Sequence, residues 1–268
     1  MKVPVRNEDR QKSYFKYYEM EMAKVPEERL VQIARGKSDP RDAQTIHERA
    51  RFFDAGYLPG EFGYWLLEDG TAMTACLTAM PGVTGDMFDW WFAWHPLDRL
   101  RYAIWDPDDH YDTSLDAPAA CMDKSKSHRE RNWGSVHHVW EDIGAGLNLI
   151  DIYFKKPSDF GYDMERIGTD ACSTIVCSNV RILGNDFVPD VPVVMTHFLR
   201  PTDRGSELRS RFWIGWNIVD GKPVKLIPDG VAIPEIAPQN LIKHNVKEFV
   251  NLAKILPMVH AEEWRSDF

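Results

Sequence analysis

The stretch Leu241-Ile242-Lys243-His244-Asn245-Val246-Lys247-Glu248 decides how this chain folds. Leu241, His244 and Glu248 recur at helical spacing, and the same stripe continues at Leu252 and Ile255. A helix with such a stripe turns it towards the protein core. The sequence therefore predicts a long core-facing helix over residues 238–256, ended by the proline that follows.

His244 and Glu248 are the polar members of this stripe and lie one helical turn apart. A carboxylate that faces an apolar layer needs a partner, because burying an unpaired charge costs free energy. A divalent metal ion is one such partner. An exposed polar pair on the solvent side of the helix is the alternative that the spacing also allows.

Upstream of the helix, alternating apolar residues and turn signals are typical of strands. Strands are predicted at 64–67, 73–80, 136–142, 147–154, 172–183, 193–199, 207–219 and 224–227. Successive strands without intervening helices pair antiparallel. We therefore expect an α+β fold in which a curved antiparallel sheet grips the long C-terminal helix, with a cavity between them.

The N-terminal part has the pattern of helices. One helix is predicted from Pro26 to Gly36, and Asp39-Pro40 is typical of an N-cap before a first-turn proline, with the helix continuing to about Phe53. A further helix is predicted at 87–94. We therefore expect a small helical N-terminal region at 1–58 and a second domain at 59–268 that contains the sheet and the long C-terminal helix.

Composition narrows the class of protein. The chain has 268 residues, of which 44% are hydrophobic and 12% aromatic, so it can bury a core and line a pocket for flat ligands. A net charge of −9 without a basic stripe argues against nucleic acid as a partner. Neither a signal peptide nor a run of membrane-spanning length is apparent, so we expect a soluble cytoplasmic protein without a membrane partner.

Motifs of several enzyme classes are missing from the sequence. It contains no GxSxG, GxxxxGK[ST], GxGxxG or HExxH, which argues against ordinary serine hydrolases and nucleotide enzymes. A metal site needs three or four ligands, and the last helix supplies two. Periodicity alone does not choose the next ligand among His110, His128, His137 and His138. In the predicted strand 136–142, His137 and Glu141 share one face.

The order His110, Glu141, His244 and Glu248 resembles the zinc site of the 2,4-diacetylphloroglucinol hydrolase family, which includes the phloretin hydrolases. Three segments are also similar: Phe88-Asp89-Trp90-Trp91-Phe92-Ala93-Trp94-His95, Arg101-Tyr102-Ala103-Ile104-Trp105 and Arg209-Ser210-Arg211-Phe212-Trp213-Ile214-Gly215. The resemblance covers residues 55–256. It implies a helix-grip (Bet v 1-like) domain and one zinc ion per chain held by those four residues, and it suggests a homodimer.

The resemblance implies a hydrolase that cleaves the carbon–carbon bond between a phloroglucinol ring and its acyl group. Tyr102 matches a tyrosine that binds a phenolic hydroxyl, and His197 matches a histidine of the family site, although a satisfied core histidine is its alternative interpretation. Glu141, His197 and Tyr102 are therefore the candidate catalytic residues, with Glu141, His197 or a displaced ligand moving the proton.

The chain departs from the family pattern at two positions that hold the substrate ring. Thr113 stands where the diacetylphloroglucinol enzyme has an asparagine, and Phe212 stands where it has a second tyrosine. Fewer polar ring contacts favour a bulkier, apolar acyl arm, so we expect phloretin as the substrate and 2,4-diacetylphloroglucinol as the alternative. A carrier of aromatic ligands without catalysis is the competing class.

Overall fold

The computed structural model, which describes residues 1–184 and 189–265, is built on an eight-stranded antiparallel sheet and a long C-terminal helix. The strands are β1 (Gly63–Leu66), β2 (Ala72–Pro81), β3 (His110–Leu115), β4 (Val136–Asp142), β5 (Leu147–Lys155), β6 (Thr174–Ile182), β7 (Val191–Thr202) and β8 (Gly205–Ile214). Their order across the sheet is β1-β2-β8-β7-β6-β5-β4-β3. A separate hairpin pairs β9 (Trp216–Val219) with β10 (Lys222–Lys225).

Seven α-helices accompany the strands among the described residues. They are α1 (Phe15–Glu19), α2 (Glu27–Ala34), α3 (Gly85–Trp94), α4 (Arg99–Ala103), α5 (Pro118–Cys121), α6 (His128–Asn132) and α7 (Ile236–Glu263). The 3-10 helices are Glu8–Gln11, Pro40–Asp42, Ile46–Phe53, His95–Leu97, Pro157–Phe160 and Met164–Arg166. No helix in the described ranges combines the length and the apolar character needed to cross a bilayer.

The predicted helix-grip arrangement is confirmed by how α7 lies on the sheet. Ile242 and Val246 of the helix pack with Tyr64 and Cys76 of the first two strands. Further along, Leu252 belongs to the large apolar cluster that joins α7, the aromatic helix α3 and the inner face of the sheet. The stripe read from the sequence is thus the buried face of α7, and the fold is α+β.

The prediction that Pro257 ends the last helix is wrong, because α7 continues to Glu263. A proline inside a helix cannot donate to the carbonyl four residues earlier, here that of Ala253. The following turns stay helical because tertiary contacts hold them: Val259 is fully buried, and the His260 ring contacts Trp90 edge-on with 5.1 Å between ring centroids. Packing outweighs the local preference.

Two other expectations differ from the structure, and one strand of the main sheet was not expected. The strand predicted at 207–219 is divided at Gly215, whose φ of 99° lies in the left-handed region, so β8 pairs with β2 and β7 whereas β9 pairs with β10. The helix predicted to continue from Asp39 to Phe53 is split into two 3-10 helices, because the Gln44 carbonyl accepts from the Trp213 indole at 2.7 Å instead of closing a helical turn. Strand β3, which begins at His110, was not predicted.

The 3-10 helix Ile46–Phe53 of the N-terminal part packs on the outer face of the sheet, whereas Tyr14 and Tyr17 belong to the cluster that contains α3 and α7. Phe52 stacks on Phe198 of β7 with ring centroids 5.0 Å apart, in a cluster that lies behind the sheet as seen from α7. Residues before and after position 58 therefore share buried contacts. The division at 58/59 into two regions stays a prediction.

Candidate active site

The inner face of the sheet and α7 enclose a cavity with mostly aromatic and aliphatic walls. Strand alternation correctly predicts the members that β4 contributes, since His137, Val139 and Glu141 all line the cavity. The titratable side chains of the wall are His95, Tyr102, His137, Glu141, His197, His244 and Glu248. Concave apolar sites with a few convergent polar groups are typical of small-molecule binding.

Strand pairing and helix periodicity bring the four proposed ligands together. His110 is the first residue of β3 and lies directly opposite Glu141 of β4, so their side chains leave the sheet on the same face. His244 and Glu248 reach the same place from one face of α7. All four side chains are buried.

The distances within this group are short. The His110 Nε2 atom lies 4.0 Å from the Glu141 Oε1 atom and 3.7 Å from the Glu248 Oε2 atom. The His244 Nε2 atom lies 3.5 Å from the Glu141 Oε2 atom. One ligand atom each of His110, Glu141 and His244 lies within 4.8 Å of the others, a separation that a single ion can bridge.

Tyr102 lies beside this group. Its ring stacks on the His110 ring with 4.2 Å between centroids and an angle of 6°, and its hydroxyl donates to the Glu141 Oε1 atom. Helix α4, which carries Tyr102, begins at the N-cap Asp98, whose carboxylate accepts from the Leu100 backbone amide at 2.9 Å. The cap therefore fixes the helix that aims the tyrosine at the cavity.

Burial and neighbouring charges shift the pKa values of Glu248, His244 and His110. Burial, with the charge of Glu141 nearby, raises the pKa of Glu248 to about 8. Burial opposes a charged His244, but its hydrogen bond to Asp109 and the nearby carboxylates outweigh that effect and raise its pKa to about 9. Burial and the charge on His244 hold the pKa of His110 well below its usual range.

These groups fit a divalent metal ion. The His110 Nε2 atom is buried and has no hydrogen-bond partner among the described residues, although it faces two carboxylates. An imidazole nitrogen left unpaired between carboxylate oxygens is the arrangement of a metal ligand rather than of a stable apolar core. Two histidines and two glutamates are a donor set that zinc accepts.

An acidic pair that was not predicted as part of the site supports His244. Asp109 accepts a hydrogen bond from the His244 Nδ1 atom at 3.3 Å, and both Asp109 and Asp106 are paired with Lys247. Asp106, Asp109 and His244 are also close enough to share a cation, but both aspartates already form ion pairs with the ammonium of Lys247. The sequence feature that could have indicated these two aspartates is the acidic turn just before His110.

Of the remaining predicted site residues, His197 and Phe212 line the cavity and Thr113 does not. His197 is buried in the wall, where its Nδ1 atom is 2.8 Å from the Ser210 hydroxyl and burial lowers its pKa to about 3. Phe212 also lines the cavity. Thr113 pairs with Val139 but is not among the lining residues, and its buried hydroxyl has no partner within the described part of the chain.

Two further histidines line the cavity: His95, which no sequence pattern singled out, and His137, which the sequence offered only as one of four candidates for the third ligand. His95 and His137 are 2% and 1% exposed, and their ring centroids are 6.1 Å apart. Burial lowers the pKa of His95 to about 3 and that of His137 well below its usual range. A sequence signal existed only for His137, which shares a strand face with Glu141.

Comparisons with known proteins identify the family of the chain. The model of the DAPG hydrolase PhiG domain family matches residues 44–261. Phloretin hydrolase from Eubacterium ramulus is 41% identical over 268 residues, which cover 98% of this chain and 94% of that protein. The 2,4-diacetylphloroglucinol hydrolase of Pseudomonas protegens is 29% identical over 265 residues, 94% of this chain and 85% of that one.

Solved structures resemble the chain more distantly. Ara h 8.0201 is 10% identical with a TM-score of 0.40, and the match covers 70% of this chain and 98% of that one. The family model spans most of the sequence, and the 41% identical relative aligns almost from end to end. The chain therefore belongs to the DAPG hydrolase PhiG domain family.

Proposed function

We propose that this protein is a zinc-dependent hydrolase that cleaves phloretin into phloroglucinol and 3-(4-hydroxyphenyl)propanoate. The observation that carries the proposal is the convergence of His110, Glu141 and His244 beside Tyr102. Glu141, His244 and Tyr102 of this group line an aromatic-walled cavity. The 41% identity to a phloretin hydrolase supports the choice of substrate.

The reaction needs a way to release a carbon leaving group. A bare aryl carbanion is too unstable to depart, but a 1,3,5-trihydroxybenzene ring can ketonise at the acylated carbon. The substrate then becomes a β-diketone, water adds to the acyl carbonyl, and the ring leaves as a resonance-stabilised phenolate. An enzyme for this retro-Claisen cleavage must hold ring hydroxyls, move a proton to a ring carbon and direct water to the carbonyl.

His110, Glu141, His244 and Glu248 would hold the metal ion, one per chain. Zinc bound there supplies a Lewis acid that polarises a carbonyl and lowers the pKa of water. A set of two histidines and two carboxylates also accepts manganese, cobalt or iron, so metal analysis decides the identity of the ion.

Side chains of the protein would donate and accept the protons that the reaction transfers. Tyr102 donates to Glu141, so a phenolic hydroxyl of the substrate that approaches Tyr102 enters an existing hydrogen-bond chain. Burial raises the pKa of Glu141, which makes it a better proton acceptor than an exposed carboxylate. His197 is held neutral by burial and is the second candidate for proton transfer.

The cavity favours the bulkier substrate. Phe212 lines the wall without a polar group, and Thr113 does not line it, so two polar contacts to the substrate are missing there. Apolar walls suit the hydroxyphenylpropanoyl arm of phloretin better than a short acetyl group. 2,4-Diacetylphloroglucinol is the alternative substrate, and the family resemblance and the sequence lead us to propose a homodimer in the cytoplasm.

Product analysis in ¹⁸O-labelled water tests the reaction. Phloretin incubated with the purified protein should give phloroglucinol and 3-(4-hydroxyphenyl)propanoate in equal amounts, with one labelled oxygen in the acid. Label in the phloroglucinol alone would contradict water attack at the carbonyl. Turnover of 2,4-diacetylphloroglucinol without turnover of phloretin would show that the proposed substrate is wrong, but it would leave the proposed carbon–carbon hydrolysis in place.

A further inference from the structure

The cavity differs in character from one end to the other. Its half-buried members are all aliphatic: Ile143, Ile152, Val180, Ile182 and Leu241. We call these five residues the mouth. The fully buried members of the wall include His95 and His137, which we call the histidine pair, together with Tyr102. The histidine pair and Tyr102 are therefore more deeply buried than the mouth, whereas Ile143 and Leu241 of the mouth lie close along the chain to Glu141 and His244 of the proposed metal site.

A buried phloroglucinol ring brings three hydroxyl groups, and each needs a hydrogen-bond partner because an unpaired buried hydroxyl is costly. Tyr102 can serve one of them. Phe212 offers no polar atom, and Thr113 does not line the cavity. The ring therefore needs acceptors that the expected positions do not supply.

His95 is held as a hydrogen-bond acceptor. Its Nδ1 atom lies 2.7 Å from the Trp91 carbonyl oxygen, and because a carbonyl only accepts, the Nδ1 atom carries the proton. The ring is neutral, since burial disfavours its charged form. Its Nε2 atom therefore carries a lone pair that can accept a hydrogen bond. This atom has no protein partner in the described ranges, and His95 lines the cavity.

His137 is held in the complementary tautomer. The Ser135 hydroxyl donates to the Asn132 carbonyl at 2.8 Å, so its oxygen accepts from the His137 Nε2 atom at 3.1 Å. The remaining Nδ1 atom of the neutral ring is then an acceptor. Two histidines from different elements thus each offer one acceptor nitrogen, and hydrogen bonds within the protein fix the tautomer of each ring.

The pair is close to the proposed reaction centre but separate from it. Tyr102 stacks on both His110 and His95, with 5.8 Å between the Tyr102 and His95 centroids. Neither histidine of the pair belongs to a group of described residues that could hold a metal ion. Their role is therefore recognition of the substrate rather than metal binding.

We propose that His95 and His137 accept hydrogen bonds from two hydroxyls of the phloroglucinol ring, so that the ring binds beside these two residues and the acyl arm points to the mouth. This inference rests on the proposed function and adds the orientation of the substrate. The ring contacts are the same for every acyl-phloroglucinol, whereas the aliphatic mouth tolerates arms of different length.

Amide substitutions separate the acceptor from the anchoring bond. His95→Asn keeps a donor near the Nδ1 position and removes the Nε2 acceptor, whereas His95→Gln places an oxygen near Nε2. His137→Gln keeps the donor to Ser135 and removes the Nδ1 acceptor, and His137→Asn does the reverse. Leu241→Ala at the mouth is the control for general damage to the cavity.

Binding of phloroglucinol alone is measured by calorimetry on the metal-loaded proteins. His95→Asn and His137→Gln should each raise its Kd by about fivefold to tenfold, the loss expected for one neutral hydrogen bond. The opposite amides should restore part of the affinity, and Leu241→Ala should leave the Kd unchanged while altering KM for phloretin. Metal content should stay equal in all variants.

Equal Kd values for wild type, His95→Asn and His137→Gln would overturn the inference, as would a wild-type protein that does not bind millimolar phloroglucinol. Turnover of phloretin by the wild type is recorded alongside. Its absence would reject the proposed substrate, whereas the Kd comparison decides the role of the histidine pair independently.

Discussion

His244 is held from both sides of its ring. Its Nδ1 atom bonds to Asp109, and its Nε2 atom faces Glu141 at 3.5 Å. A carboxylate that holds the far nitrogen of a metal-binding histidine fixes the tautomer and leaves the near nitrogen as a ligand. Asp109 is in turn held by Lys247, so the orientation of His244 depends on two residues outside the proposed ligand set.

Replacing His244 by alanine should remove both bound metal and activity. Outer partners of metal ligands typically contribute 10- to 100-fold, so loss of a direct ligand should exceed about a hundredfold in metal affinity. Metal analysis after gel filtration and a phloretin assay measure the two effects. Lys243→Ala, at the exposed neighbouring position, is the matched control and should keep both. A fully active His244→Ala protein would reject the site.

Asp109→Asn should weaken metal binding without unfolding the protein. The amide can still accept from the His244 Nδ1 atom, but it lacks the charge that strengthens this bond. We expect the metal Kd to rise about 10- to 100-fold, measured by competition with a chelating dye. An unchanged Kd would mean that Asp109 only pairs with Lys247 and does not support His244.

At the scale of elements, α7 and β4 could be predicted from the sequence, because the spacing of their apolar residues follows the face that is buried. The stripe of α7 and the alternation of β4 both place the predicted side chains in the cavity wall. Strand β3 could not be read, because only its first residue, His110, is fully buried and the rest lies at a partly exposed sheet edge. Periodicity did not single out His95 and offered His137 only as a candidate metal ligand, because the acceptor role proposed for them depends on the hydrogen-bond partner of each ring nitrogen.

Pro257 gives a prediction for α7 itself. A proline costs about 3 kcal/mol relative to alanine in a helix interior, since it removes a hydrogen bond and crowds the preceding turn. Pro257→Ala should therefore raise the free energy of unfolding by about 1–3 kcal/mol, measured by urea denaturation. Lower stability would show that the ring contributes more through packing, for example near Gly82, than it costs the helix.

At the scale of the molecule, a buried ion cluster connects the N-terminal part to the sheet. Glu61 pairs with Arg211 at 2.7 Å and bonds to the Arg209 Nε atom at 3.1 Å, and both arginine side chains are fully buried. Arg209 also donates to the Phe52 carbonyl at 2.9 Å. The cluster therefore holds residues before position 58 against β8.

Glu61→Gln should strongly destabilise the fold, because it leaves two buried guanidinium groups without a carboxylate. Breaking one partner of a buried ion pair costs about 3–5 kcal/mol. Urea denaturation at neutral pH measures the loss, with Glu68→Gln at an exposed position as the control. A change below about 1 kcal/mol would mean that water reaches the cluster.

The same cluster predicts a pH dependence. Burial opposes ionisation of Glu61, but its two arginines outweigh burial and lower its pKa to about 2. A carboxyl with a lowered folded pKa stabilises the native state above its unfolded pKa of about 4.3 and loses that contribution as the pH falls towards 2. The stability difference between wild type and Glu61→Gln should therefore shrink between about pH 4 and pH 2. A constant difference would contradict the assignment.

The proposed ligands come from positions far apart in the sequence, so spacing alone left the third ligand open among several histidines. What joins them is the register of β3 on β4 and the way α7 crosses the sheet. The acidic turn before His110 had a function that no local pattern reveals, since its partners His244 and Lys247 come from the other end of the chain.

The most direct test of the central claim is a chromatographic time course of phloretin with three samples of one preparation: as purified, chelator-treated, and chelator-treated then reloaded with zinc. Metal content is measured on each. We predict hydrolysis in the first and third samples, with about one zinc ion per chain, and none in the second. Full-rate hydrolysis by protein without measurable metal, or no hydrolysis by fully loaded protein, would contradict the account.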